Sequence, residues 1–142
     1  MLLGEHEHSL DDKNRLTLPA KLRELLGDQV VVTRGMDGCL YVYARPAFDA
    51  LAARLEGLDG LAVDTRRMQR HFFTNATPAD VDKQGRIVMP PLLLERERIG
   101  REVTVAGVGD HLEIWDRAMW AKQLHEGEGS AEDVAERLAN RD

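Results

Sequence analysis

Two short segments of the chain place an aspartate four residues before an arginine. They run from Asp11 to Arg15 and from Asp82 to Arg86, and each leads into an aliphatic run that ends at a proline. An arginine on a rigid turn presents a planar fork of donors that matches paired acceptors on an anion or a base. We expect each aspartate to brace its turn by accepting backbone N–H groups or by pairing with the arginine. The pattern therefore indicates anion recognition.

The two segments belong to an internal repeat in which Arg15 and Arg86 are 71 residues apart. Four more features follow in the same order, with an offset that stays between 71 and 73. Gly27 matches Gly100, residues 30–32 match 103–105, and residues 40–43 match 112–115. The fourth feature is an arginine followed three residues later by an aromatic residue, which is Arg45 and Phe48 in the first copy and Arg117 and Trp120 in the second. Chance similarity would not preserve the order of five features, so the sequence predicts a duplicated unit.

Each copy is expected to fold as the same β-rich unit. The pattern predicts a small hairpin across the charged turn, a short helix, two further strands and a closing helix. The expected bounds are 20–26, 29–33, 39–43 and 46–55 in the first copy, and 91–99, 102–106 and 111–115 in the second. A linking helix is expected at 64–75, and the tail forms at most an exposed amphipathic helix carrying Val134 and Leu138.

We divide the chain into a first repeat with the linking helix (1–75), a second repeat (76–125) and a C-terminal tail (126–142). A half of roughly 70 residues buries too little apolar surface to be stable alone. The two halves are therefore expected to share one core, as a common barrel with pseudo-two-fold symmetry. Both arginine turns would then lie on equivalent edges.

Composition and charge exclude several classes of protein. The chain has 142 residues with a net charge of −6, of which −4 falls on the acidic tail and −2 on residues 1–125. Because residues 1–125 are nearly neutral, a local basic surface on them could still attract an anion. No apolar run approaches the roughly 20 residues of a membrane span, and the N-terminus does not resemble a signal peptide, so a cytoplasmic protein is expected.

The doubled pattern Asp-x-x-Asn/Gly-Arg-Leu/Ile-x-Leu/Met-Pro resembles the MraZ family of bacterial regulators over about residues 1–125. The resemblance implies a β-rich α+β fold of two tandem AbrB-like swapped-hairpin units, forming a double-split barrel with capping helices. It implies a ring-like homo-oligomer that is cytoplasmic and nucleoid-associated. It also implies a transcription factor that binds direct repeats in double-stranded DNA upstream of the division and cell-wall gene cluster through the two turns.

The candidate DNA-binding residues comprise arginines, lysines and neutral groups of the turns. A bidentate arginine–guanine pair is worth about 1–3 kcal/mol of base discrimination, whereas lysines make salt-sensitive phosphate contacts. The set consists of Arg15 and Arg86 for guanine, Lys13, Lys21 and Lys83 for phosphates, and Asn14, Gln84 and the Gly85 backbone N–H for further hydrogen bonds.

The two copies differ in two places that bear on this site. Asn14 stands where the pattern has glycine, and asparagine is the residue other than glycine that best tolerates the left-handed conformation. The first copy continues with Ala-Lys-Leu-Arg at 20–23 where the second has Pro-Leu-Leu-Leu at 91–94. We therefore expect the first turn to carry more positive charge and to make the stronger DNA contact.

Two other functions remain open at this point. The acidic tail from Glu126 to Asp142 could be the arm of an antitoxin-like, protein-binding module. His6 and His8 share one face of a strand and could hold a metal in a small enzyme, but no third ligand follows at a recognisable spacing. Because no catalytic motif is found, we expect neither an enzyme nor a cofactor.

Overall fold

The computed structural model describes residues 1–125 and 129–141 as a β-rich α+β fold. The strands are β1 (Leu2–Ser9), β2 (Arg15–Thr17), β3 (Gln29–Arg34), β4 (Leu40–Ala44), β5 (Thr77–Asp80), β6 (Arg86–Val88), β7 (Glu102–Gly109) and β8 (Leu112–Asp116). The helices are α1 (Ala20–Leu26), α2 (Arg45–Glu56), α3 (Val63–Phe73), α4 (Pro91–Arg96), α5 (Arg117–His125) and α6 (Ala131–Ala139). Each half thus contributes four strands in the same order.

The strands form two sheets that combine both halves. Six strands make an antiparallel sheet in the order β1-β7-β8-β4-β3-β5, and β2 pairs with β6 in a separate two-stranded ribbon. The halves exchange strands, because β1 of the first half pairs with β7 and β5 of the second half pairs with β3. Among the described residues the six-stranded sheet ends at β1 and β5, so the strand pairing does not form a closed barrel.

The hairpins predicted across the charged turns are wrong. The strands on either side of the first turn, β1 and β2, belong to different sheets, and so do β5 and β6. Their partners lie in the opposite half, where the pairing of β2 with β6 places Leu16 against Ile87. Both side chains become buried in this way, at 0% and 1% exposure. Burial against the other half therefore decides the pairing, and not the closeness of the strands in sequence.

One hydrophobic core serves both halves, which confirms the shared core. Strands β3 and β4 supply Val30, Val32, Leu40 and Val42. The second half supplies the corresponding side chains from β7 and β8, which are Val103, Val105, Leu112 and Ile114. All eight of these side chains are fully buried.

The helices follow the predicted order with shifts at their ends. Helix α1 ends at Leu26 and is followed by Gly27, whose φ of 78° is a conformation that favours glycine. Helix α4 is shorter than predicted and ends at Arg96, two residues before Arg98, whose φ is 55°. None of the described helices combines the length and the apolar character that a membrane span requires.

The linking helix and the tail helix both form. Helix α3 spans Val63–Phe73, and Phe72 packs with Tyr43, Leu51 and Leu55 in a second apolar cluster. Helix α6 begins with a capping box at Ser130 and Asp133 and leaves Val134 and Leu138 exposed, as predicted. The tail acids Glu126, Glu128 and Asp142 lie outside the described residues.

Candidate nucleic-acid interface

The two arginine turns lie at opposite ends of the ribbon formed by β2 and β6. The register pairs Arg15 with Val88, Leu16 with Ile87, and Thr17 with Arg86. Because successive side chains of a strand point to opposite faces, the buried Leu16–Ile87 pair places the flanking side chains on the solvent face. Both arginines therefore share one outer face, with the exposed Thr17 and Val88 beside them.

Asp11 braces the first turn with both carboxylate oxygens. Its Oδ1 accepts the backbone N–H groups of Lys13 at 2.9 Å and Arg15 at 2.8 Å. Its Oδ2 accepts Nε–H of Arg15 at 2.6 Å. One carboxylate thus closes the turn and orients the arginine side chain that leaves it.

Asp82 repeats this arrangement in the second turn. Its Oδ1 accepts the backbone N–H groups of Gln84 and Arg86, both at 2.9 Å. Its Oδ2 accepts Nε–H of Arg86 at 2.8 Å. The predicted role of the two aspartates is confirmed, because each one both accepts backbone N–H groups of its turn and pairs with the arginine.

These contacts favour the charged form of each aspartate. The hydrogen bond from the Arg15 backbone, followed by the bond from its side chain, lowers the pKa of Asp11 to about 2. The hydrogen bond from the Arg86 backbone likewise lowers the pKa of Asp82. Both braces are therefore ionised at neutral pH.

The left-handed residue of each turn is tied to the opposite strand. Asn14 has a φ of 58° and Gly85 a φ of 78°, so asparagine does adopt the conformation expected of it. The carbonyl of Asn14 accepts N–H of Met89 at 2.8 Å, and the carbonyl of Gly85 accepts N–H of Leu18 at 2.9 Å. Each turn is thus continuous with the ribbon and forms a rigid base for its arginine.

The guanidinium groups remain partly accessible at this surface. The side chains of Arg15 and Arg86 are 29% and 27% exposed. The Nε–H group of each arginine donates to an aspartate. In the part of the chain that the structure describes, the Nη atoms of Arg15 have no hydrogen-bond partner. In the second turn, Nη2 of Arg86 makes a long 3.4 Å contact with Oε1 of Gln84. Both guanidinium groups are thus partly exposed on the outer face of the ribbon.

The repeat and both of its turns coincide with a known protein family. The family model described as "MraZ protein, putative antitoxin-like" matches residues 1–71 and again residues 72–142. The chain belongs to the MraZ family.

Full-length relatives in this family share about two fifths of their residues with the chain. A protein named Transcriptional regulator MraZ from Heliobacterium modesticaldum is 42% identical over 142 residues, covering 100% of this chain and 99% of the relative. The protein of that name from Pelotomaculum thermopropionicum is 40% identical, covering 99% and 97% of the two chains. The one from Moorella thermoacetica is 39% identical, covering 100% and 99%.

In this MraZ chain, most of the candidate residues gather at the two ends of the ribbon. Lys13, Lys83 and Gln84 are exposed at the tips of the turns. Gly85 does not fit its proposed part, because the residue is buried and its N–H donates to the carbonyl of Asp82 at 2.9 Å. Its backbone donor is already used within the turn, so Gly85 shapes the turn and does not offer a hydrogen bond to DNA.

Helix α1 distributes its two basic side chains differently from the sequence-based expectation. Lys21 is exposed and lines a groove with Leu3, Gly4 and His6, at the side of the helix that faces β1. Arg23 instead reaches the second turn, where Nη2 donates to the carbonyl of Lys83 at 3.1 Å. The charge of Arg23 is thus placed at the second turn and not at the first.

Sequence reasoning missed Arg23 as a residue of this candidate interface. The available signal was the break in the repeat, since an offset of 71 places Leu94 opposite Arg23. A departure from an otherwise regular duplication marks a position where the two copies differ in structure. Only the packing of α1 against the second half shows what that difference is.

The two histidines of β1 remain a pair without further ligands. His6 and His8 lie two residues apart on the strand and are half-buried. Burial, together with the nearby His6 and Arg117, lowers the pKa of His8. Within residues 1–125 and 129–141, no three side chains of the histidine, cysteine, aspartate or glutamate type are grouped to hold a metal.

Proposed function

We propose that the chain regulates transcription by binding double-stranded DNA with the outer face of the β2–β6 ribbon. One observation carries the proposal: Arg15 and Arg86 lie on a single face, each is held at Nε by an aspartate, and both side chains are partly exposed there. The major groove of B-DNA admits a two-stranded ribbon of this kind. Two equivalent turns at its ends suit the repeating backbone of a duplex.

The remaining residues divide between base and phosphate contacts. Arg15 and Arg86 present the bidentate donors that guanine O6 and N7 accept. Lys13 and Lys83, exposed beside them, supply point charges for phosphates, and Lys21 supplies another at the flank. Asn14 and Gln84 add neutral hydrogen bonds. Gly85 contributes only the left-handed turn.

Family membership supports a role in transcription, since the full-length relatives carry the name of a transcriptional regulator. We propose that the sites are direct repeats upstream of the division and cell-wall gene cluster, in the cytoplasm at the nucleoid. A single chain with a few phosphate contacts binds weakly at physiological salt. A ring-like homo-oligomer that engages adjacent repeats would raise the affinity through effective concentration.

The exchanged strands support a swapped-hairpin arrangement within this proposal. Strands β1 and β5 each cross to the opposite half. Strand β2 contacts β1, and β6 contacts β5, so the ribbon lies between the two ends of the six-stranded sheet. We propose that this ribbon closes a split barrel by side-chain packing, with residues 1–75 and 76–125 as its two repeats and 126–142 as an appended tail.

The test is binding of the full chain to duplex DNA from upstream of its own gene, measured by fluorescence anisotropy. Arg15→Ala and Arg86→Ala should each weaken specific binding by about tenfold or more. Arg15→Lys should lose most of this affinity as well, because an ammonium keeps the charge but lacks the fork. Wild-type affinity in both alanine variants would overturn the proposal.

A matched control is available on α2. Arg45 pairs with Asp49 at 3.1 Å with the same spacing of four residues, and it is exposed outside the ribbon. Arg45→Ala removes the same charge and the same type of ion pair. It should leave specific DNA binding within about twofold of wild type, which separates the loss of a ribbon arginine from a general change in net charge.

One observation favours the antitoxin-like alternative as a second candidate. Helix α6 exposes Val134 and Leu138 at a spacing of four residues, which is the pattern of a helix that docks into a groove of a partner. Deletion of residues 129–142 distinguishes the two functions. Specific DNA binding should persist if the ribbon carries the function, whereas neutralisation of a protein partner would be lost if the tail carries it.

A further inference from the structure

The two turns differ in the side chains that contact their backbone from the core side. Arg23 of α1 extends across the boundary between the halves, and its Nη2 donates to the carbonyls of Lys83 at 3.1 Å and Asp82 at 3.4 Å. The same side chain packs against Gly85, where an added Cβ would lie 3.0 Å from both Cδ and Nη1 of Arg23. The second turn therefore rests on a guanidinium group supplied by the first half.

Among residues 1–125 and 129–141, no side chain supports the first turn in this way. An offset of 71 residues places Leu94 at the position of Arg23, and Leu94 is buried in the shared core with 6% exposure. A leucine has no donor for the turn carbonyls. The two ends of the ribbon are therefore not equivalent. Both turns have the same aspartate contacts, but only the second turn has a guanidinium group bound to its backbone carbonyls in the described residues.

The charges at the two tips differ in the same direction. Residues 11–15 contain two acids and two bases, whereas residues 82–86 contain one acid and two bases. The extra acid, Asp12, pairs with Arg101 at 3.1 Å. Lys83 occupies the matching position in the second turn, and in the described ranges it forms no ion pair. When the neighbouring Arg101 is counted at the first tip and the neighbouring Arg23 at the second, the second tip is still the more positive of the two.

We propose that the second turn is the stronger of the two DNA contacts and that Arg23 is the positioning residue responsible. The inference rests on the proposed DNA-binding function. A turn held in its bound geometry loses less conformational entropy on binding, and added positive charge strengthens contact with phosphates. Both effects act at the turn that carries Arg86. The proposal therefore reverses the expectation from the sequence, which was that the first turn makes the stronger DNA contact.

The first measurement compares the two single variants with the upstream duplex by fluorescence anisotropy. Arg86→Ala should weaken binding at least about threefold more than Arg15→Ala does. Equal losses, or a larger loss for Arg15→Ala, would overturn the inference while leaving the proposed function intact. If neither variant weakens binding, the proposed function itself fails.

The second measurement asks whether Arg23 acts through the second turn. Arg23→Met retains a long side chain but removes the donors and the charge, and it should weaken binding several-fold. In the double variant with Arg86→Ala the two losses should overlap, whereas with Arg15→Ala they should multiply, because Arg23 supports only the turn of Arg86. Losses that multiply in both double variants would contradict a positioning role. Circular dichroism confirms that each variant is folded.

The salt dependence separates positioning from direct contact. Arg23 donates to backbone carbonyls, so its charge can act on the phosphates only from a distance, and Arg23→Met should lower the slope of log affinity against log salt concentration by much less than the loss of a phosphate contact does. Removal of a phosphate contact lowers this slope by about 0.9. A drop of that size in Arg23→Met would show that Arg23 itself binds a phosphate, and would overturn its assignment as a positioning residue.

Discussion

Leu16 lies directly opposite Ile87 at the centre of the β2–β6 ribbon, and both side chains are completely buried. The two residues occupy equivalent positions of the duplicated pattern, so the strand register of the ribbon is symmetric about this pair. Their contact holds both arginine turns to the core from below. The geometry of the outer face thus depends on an apolar pair that lies on the opposite, buried face of the ribbon.

Leu16→Ala should destabilise the chain by about 2–5 kcal/mol, because it leaves a cavity where the ribbon meets the core. Urea unfolding monitored by circular dichroism measures the change. Val88→Ala is the matched control, since Val88 is on the same ribbon but is 53% exposed. Its cost should stay within about 0.5 kcal/mol. Equal costs for the two substitutions would contradict the burial of Leu16.

Gly85→Ala should cost about 1–2 kcal/mol for the left-handed backbone, with a further cost where the new Cβ meets Arg23. The further cost should disappear in the Arg23→Ala background, because the clashing atoms are then absent. A double-mutant cycle on unfolding free energies measures this coupling. Strictly additive energies would show that the packing of Arg23 on Gly85 is not formed.

Asp11 should titrate at a pKa of about 2, which carboxyl-detected NMR measures directly. Its pKa is depressed in the folded state, so its contribution to stability is complete above its ordinary value of 3.8 and is lost as the pH falls towards 2. The Asp11→Asn variant should therefore lose stability less steeply across this interval. Titration of Asp11 near its ordinary value would refute the brace.

Asp82→Asn should weaken DNA binding even though it removes a negative charge from the surface. The amide keeps the shape of the carboxylate but has only one acceptor oxygen. If that oxygen caps the turn, the NH2 group faces Nε–H of Arg86, where two donors meet, so the arginine loses its orientation. Asp80→Asn is a suitable control, because Asp80 is an exposed acid on the nearby strand β5. Tighter binding by Asp82→Asn would mean that repulsion of phosphate outweighs positioning.

Removal of residues 129–142 should leave the melting temperature within about 2 °C of the full chain. Helix α6 has no buried residue in the described structure, so its loss exposes no core. Differential scanning calorimetry measures the effect. A marked drop in the melting temperature would show that the tail packs against the body of the protein or a second copy.

The sequence alone determined the duplication, the order of the helices and strands, the left-handed conformation at Asn14 and the aspartate braces. These features depend on residues close together in the chain, where spacing and local hydrogen bonding are decisive. The shared core follows from the small size of each half.

Only the tertiary structure decided which strands pair, where Arg23 points and which backbone groups of the turns remain available. Strand pairing depends on which apolar faces meet, and the two halves meet across a long separation in sequence. The side chain of Arg23 crosses that same boundary, and Gly85 is covered by it. The local pattern is nearly the same in both copies, so the difference between the two turns arises from the packing between the halves.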